Sequence, residues 1–258
     1  MKYLIVSGDS FTDYNFRSTS YPDMDTSWPK WPELLAEKLG MECINLALCG
    51  KGNEYIYSTL QDQIVSMPNK DEIGLVIAAW SECHRRDYQR GGHYDNRNQS
   101  HDHWTNSNWH DEKIDSCGDL PYWAHRSLRY YSAFDILCER YNLPYIQFQM
   151  LDLYADFLQG SYSRGGKYPG NDIKDEKIVL KLILSYDKII NTTKFIGWPL
   201  VFKLGGWSLN VGALTGDGNQ FDQEFYDFYT ISKIDRHPNA AGQVKLAEYL
   251  YDWLETAA

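Results

Sequence analysis

The sequence predicts an α/β protein, a three-layer α/β/α sandwich built on a mostly parallel sheet of about five strands. Two observations carry that expectation. Short apolar runs alternate with amphipathic helical segments along most of the chain, which implies parallel strands joined by crossover helices. One run, IGLVIAAW at 73–80, is apolar almost throughout, as a strand covered on both faces should be. With 258 residues and 43% apolar content, the chain can fill one domain spanning 1–258.

The elements follow in order. Residues 2–7 read as a buried strand that stops at Gly8, Asp9 and Ser10, which ordinarily make turns. WPELLAEKLG at 31–40 reads as a helix, with Pro32 near its start, Leu35 and Leu39 four apart, and Gly40 placed to end it. CINLAL at 43–48 is a second strand. A helix follows from Asn53, its expected cap, with Ile56, Leu60 and Ile64 in steps of four. After the third strand, residues 83–120 lose apolar periodicity and read as a long inserted polar and aromatic loop near the functional end of the sheet. A helix at 121–141, a strand in LPYIQFQML and a helix at 174–190 restore the alternation. A Gly- and aromatic-rich stretch to about 220 precedes a terminal helix whose apolar face carries Val244, Ala247, Leu250 and Leu254.

Charge and composition exclude several functions. The net charge is -10 and no basic run interrupts it, which argues against nucleic acid and anionic lipid as partners. No stretch approaches the ~18 apolar residues of a membrane span. The N-terminus turns polar before a signal peptide's apolar region could form, so a cytoplasmic chain with no membrane partner is expected. Cys43, Cys49, Cys83, Cys117 and Cys138 are odd in number and lack CxxC spacing, so reduced thiols are expected rather than a disulfide framework. Nothing in the sequence specifies an oligomeric state.

Chemistry enters at the two ends of the chain. In open α/β sheets, ligands sit beyond the carboxyl ends of the strands, and Ser10 lies just past the first. A serine hydroxyl is a poor nucleophile until an imidazole takes its proton, and the imidazole needs an acid to fix its tautomer. KIDRHPNAAGQ, just before the last helix, offers Asp235 and His237. A helix-entry turn capped by Asp235 or Asn239 would explain the same residues.

Gly8-Asp9-Ser10 together with Asp235 and His237 resembles the SGNH hydrolases, the GDSL-type lipases and esterases. That resemblance implies a flavodoxin-like SGNH hydrolase fold with Ser10 as nucleophile, His237 as base and Asp235 as acid. A second block, an asparagine with a glycine five residues on, is matched by Asn45 and Gly50. It implies an oxyanion hole formed by the N–H groups of Ser10 and Gly50. The matched blocks run from residue 6 to residue 243. Two positions depart from the family pattern. The acid stands two residues before the histidine rather than three, and AAWSEC puts Trp80 and Glu82 where the family has glycine and a donor asparagine. An ionised Glu82 only accepts hydrogen bonds. Either Ser81 supplies a third donor, or the hole has backbone donors only, or Glu82 is protonated or turned away.

The resemblance thus implies an esterase or deacylase acting on a small-molecule or carbohydrate ester through an acyl-enzyme, with no cofactor. A catalytically weak or inactive carbohydrate-binding or structural module on the same scaffold is the alternative. Asp9, Asn53, Trp80, Trp104 and Trp109 are candidate substrate contacts, and Trp123 could line the same cleft. His101, His103 and His110, with His84 or His93, lack recognised ligand spacing, so no metal site is expected. No G-x-S-x-G elbow or Walker lysine points elsewhere.

Overall fold

The computed structural model describes residues 1–89, 104–106, 118–154, 173–214 and 223–257. Its main sheet has five strands, all parallel. In chain order they are β1 (Tyr3–Ser7), β2 (Glu42–Asn45), β3 (Ile73–Trp80), β6 (Tyr145–Gln149) and β7 (Phe195–Ile196). Their order across the sheet is β2-β1-β3-β6-β7. Between β3 and β6 the chain forms a separate antiparallel pair, β4 (Asp87–Gln89) with β5 (Trp104–Asn106).

Helices cover both faces. On one side α2 (Asn53–Ser66), α3 (Leu120–Arg140) and α4 (Ile173–Ser185) enclose a core that includes Ile56, Leu60, Ile64, Trp80, Leu128, Phe134 and Val179. On the other, α1 (Trp31–Leu39), α5 (Leu209–Leu214), α6 (Gln223–Tyr229) and α7 (Ala240–Ala257) enclose Leu4, Val6, Trp31, Leu35, Ile77, Phe148, Leu246 and Leu250. This is the three-layer sandwich that alternation predicts. β3 is buried along its whole length, which is why it reads as an unbroken apolar run.

The element boundaries follow local chemistry. Gly40 ends α1 in the left-handed conformation, at φ 65°, donating its N–H to Ala36 and Glu37 carbonyls. The expected capping of α2 is corrected. Asn53 is the first residue inside the helix, and Gly52 occupies the cap without a side chain. Asp87, far along the chain, does the capping instead, accepting Gly52 N–H at 2.9 Å and Tyr55 N–H at 3.0 Å. At α7 the cap is Asn239, whose Oδ1 accepts Gly242 N–H at 2.9 Å. Asp235 is therefore not needed as a cap.

The first and last parts of the chain are tied together beside β1. Gln243 on α7 accepts Trp31 N–H of α1 at 2.8 Å. The sheet reverses its order between β1 and β3, and Ser10 follows directly from the end of β1 at that reversal. No described helix is long and apolar enough to cross a membrane.

Candidate active site

β1 ends in a tight turn held by its own acid. Asp9 Oδ1 accepts Phe11 N–H at 3.0 Å, and the Asp9 carbonyl accepts Thr12 and Asp13 N–H groups. Gly8 is required there by close approach, since a Cβ would sit 2.5 Å from Thr12 Oγ1. The turn leaves Ser10 only 6% exposed. Among the described residues, its backbone N–H has no hydrogen-bond partner.

The far end of the chain arrives at the same place. His237 Nε2 lies 2.8 Å from Ser10 Oγ, and His237 Nδ1 lies 2.6 Å from Asp235 Oδ1. Because a carboxylate only accepts, Nδ1 carries the proton and Nε2 is left to accept from the serine. The two-residue spacing of Asp235 and His237 is accommodated by a local turn in which Asp235 Oδ1 also accepts the His237 backbone N–H, at 3.1 Å. Burial pushes the Asp235 carboxyl up. Hydrogen bonds from His237 and Ser18, with the attraction of the imidazole, outweigh that and hold it at about 2.

The loop after β1 closes over the imidazole. Phe16 stacks on the His237 ring with centroids 4.2 Å apart, and Phe11 meets it at 4.6 Å. Ser18 donates to Asp235 Oδ2, and Tyr21 OH lies 3.1 Å from Ser232 Oγ in the turn that carries Asp235. Beyond Phe16, this loop encloses a surface cavity of about 350 Å3 whose lining includes Tyr14, Arg17, Met24 and Asp25, but none of Ser10, Asp235 and His237.

The second block lies beside Ser10's turn. Asn45 donates to the Thr12 carbonyl at 2.8 Å, Leu48 N–H to the Gly8 carbonyl at 3.2 Å, and Cys49 N–H to Asp13 Oδ2 at 2.9 Å. These bonds lash the 45–50 loop to the Ser10 turn. Gly50 ends that loop at φ 76°, a conformation that disfavours any side chain.

At the end of β3 the sequence left three alternatives. Ser81 has committed both of its donors: Oγ to Asp9 Oδ2 at 2.6 Å, and N–H to Asn53 Oδ1 at 2.8 Å. Glu82 accepts from Arg85 Nε at 2.9 Å, and the same guanidinium bonds Asp9 Oδ2 at 3.1 Å. Glu82 is thus paired with Arg85.

Three of the expected substrate contacts are buried. Asp9, Asn53 and Trp80 are 0%, 1% and 0% exposed. Trp80 packs on Tyr131 and Phe134, with its Nε1 donating to Gln147 at 2.8 Å. Asn53 Nδ2 donates to the Ser81 carbonyl and to Ser127. Trp123 also belongs to the core, 4% exposed, with Arg86 over its ring. These residues brace the floor of the site from inside the protein. Trp109, His93, His101, His103, His110 and Cys117 lie outside the described residues, as does the side chain of Trp104. Of the 83–120 segment, residues 83–87 pack against the site rather than away from it, through Arg85 on Asp9 and Asp87 on α2. Among the described residues no group of three His, Cys, Asp or Glu side chains could hold a metal ion.

Sequence reasoning missed Arg85, Phe16 and Ser18. Arg85 sits in a charged run with no periodicity, and the 11–30 loop carries no motif that marks Ser18 as a partner of a residue 217 positions away.

No family model matches the chain. No curated protein is significantly similar to it. Solved structures are similar over nearly its whole length. One, from Desulfitobacterium hafniense and ascribed to the G-D-S-L lipolytic family, is 14% identical, with 98% of this chain and 99% of that one covered and a TM-score of 0.49. The psychrotrophic esterase EstA from Pseudoalteromonas is 10% identical, with 99% and 98% covered and a TM-score of 0.48. An acetyl xylan esterase is 15% identical, with 99% of both chains covered and a TM-score of 0.44. Likenesses at that level carry nothing about substrate, and the site stands on its own geometry.

Proposed function

We propose that the protein is a serine hydrolase of carboxylic esters, using Ser10 as nucleophile, His237 as general base and Asp235 as the acid that orients it. One observation carries the reading: the hydrogen-bonded chain Ser10 Oγ, His237 Nε2, His237 Nδ1, Asp235 Oδ1, with links of 2.8 and 2.6 Å, at the carboxyl end of an interior parallel strand. His237 takes the Ser10 proton as Oγ attacks the ester carbonyl. The backbone N–H groups of Ser10 and Gly50 stabilise the oxyanion, in keeping with the resemblance of the two blocks to the SGNH hydrolases. His237 then gives its proton to the leaving alcohol, and water repeats the sequence on the acyl-enzyme. The esters of small molecules or acylated carbohydrates are the substrate class, and no cofactor takes part.

A second reading, a catalytically weak or inactive carbohydrate-binding or structural module, is favoured by the end of β3. Ser81 spends its donors within the fold and Glu82 is held by Arg85, so that edge supplies neither as an oxyanion donor. Losing one donor typically costs about 10² to 10³ in rate. Turnover of p-nitrophenyl acetate separates the readings. The esterase reading expects saturable hydrolysis that Ser10→Ala reduces to the uncatalysed background. Hydrolysis unchanged by that substitution removes the mechanism, and none in the parent protein favours the binding module.

A further inference from the structure

We propose that Ser18 is a positioning residue for the catalytic acid, fixing the Asp235 carboxylate so that its other oxygen stays on His237; this rests on the proposed esterase reading. Asp235 Oδ1 is occupied locally, by the backbone N–H and the Nδ1–H of His237. That local turn holds one oxygen and gives the other no donor. The second anchor comes from the other end of the chain: Ser18 Oγ donates to Oδ2, the only hydrogen bond to that oxygen among the described residues. The direction of the bond is fixed as well. Ser18 Oγ accepts Tyr21 N–H at 3.0 Å, so its proton is the atom available for Asp235.

The surroundings make the arrangement stiff. Ser18 is 3% exposed and Asp235 5%, so water does not compete freely for either group. Tyr21 and Ser232 pin the same loop to the same turn, and Ser232 Oγ accepts the Asp235 N–H at 3.0 Å. Phe16, two residues before Ser18, holds the imidazole face. Of the charged groups near this turn, His237 bonds Asp235 directly, whereas Arg236 is turned to Asp227 at 3.0 Å. The loop after the nucleophile therefore orients both the base and the acid that serves it.

The test compares Ser18→Ala, Ser18→Thr, Asp235→Asn and the Ser18→Ala/Asp235→Asn double variant, each first checked for a native near-UV circular dichroism spectrum. With p-nitrophenyl acetate, Ser18→Ala is expected to lower kcat about tenfold, the scale of a hydrogen bond to a charged group, with KM within about twofold. Ser18→Thr keeps the hydroxyl and is expected to recover most of the loss. In the Asp235→Asn background the alanine change is expected to cost less than about twofold, because the group it acts through is gone. An equal loss in both backgrounds, or none in either, overturns the proposal. A readout independent of turnover is the His237 imidazole titration followed by NMR. A midpoint shift of about half a unit or more in Ser18→Ala, absent in Ser18→Thr, supports the positioning role, and an unmoved midpoint overturns it. An enzyme without turnover but with that shift would fault the esterase reading and leave the Ser18 contact standing.

Discussion

Single residues divide the work at the site by what they can donate and accept. Ser10 and His237 face each other because Asp235 removes the ambiguity of the imidazole tautomer, and Asp235 can do so because its carboxyl is held at about 2. It stays charged at every pH above the ordinary carboxylate range, so on the proposed mechanism no loss of activity in that range is expected to come from Asp235. Asp235→Asn leaves the shape nearly intact but lets the ring adopt the wrong tautomer. Steady-state kinetics on p-nitrophenyl acetate are expected to show kcat falling about 10³- to 10⁴-fold with KM little changed, because Asp235 does not touch the substrate. The residues legible in the sequence were those with a fixed place relative to an element: Ser10 after a strand and His237 before a helix. Asn53 looks like a cleft residue in one dimension because nothing local reports its burial, whereas Trp80 closes the apolar β3 run and only its position at the strand end suggests the cleft. Their burial comes from α3, whose Ser127, Tyr131 and Phe134 lie far along the chain.

Elements were legible in proportion to their length and apolar contrast. β3 runs over 73–80, the range its composition marks, because both faces are covered. β2 stops at Asn45, short of the expected 48, since the asparagine Oδ1 turns back to accept Ala47 N–H at 3.1 Å. β7 is two residues long and carries no periodicity to read; only its place beside β6 makes it a strand. That junction has a titratable group beneath it. Asp135 of α3 accepts Gln147 of β6 at 2.6 Å and Asn191 N–H, just ahead of β7, at 2.9 Å. Burial raises its carboxyl to about 6 despite those donors. Its native form therefore holds the proton more tightly than the unfolded chain, whose carboxyls titrate near about 4. The resulting stabilisation is full below that value and is lost as pH rises to about 6. Thermal melts are expected to show the midpoint of the parent protein falling relative to Asp135→Asn by a few degrees across that window. A difference that does not change with pH would show the carboxyl to be ionised throughout.

At the scale of the whole molecule, the site exists because the sheet brings the two ends of the chain together. β1 is interior in the order β2-β1-β3-β6-β7, and α1 and α7 pack side by side on one face, joined by the Gln243 bond to Trp31. That packing sets the turn at 230–238 against the loop at 8–21, and no local sequence signal could report the distance between them. Activation of a hydroxyl from the head of the chain by an imidazole from its tail is read by covalent labelling. Intact mass and peptide mapping after treatment with a fluorophosphonate are expected to show one adduct, on Ser10. His237→Ala is expected to slow its formation at least about a hundredfold. A folded protein that takes no label, takes it elsewhere, or takes it on Ser10 at an unchanged rate without His237 would rule that activation out.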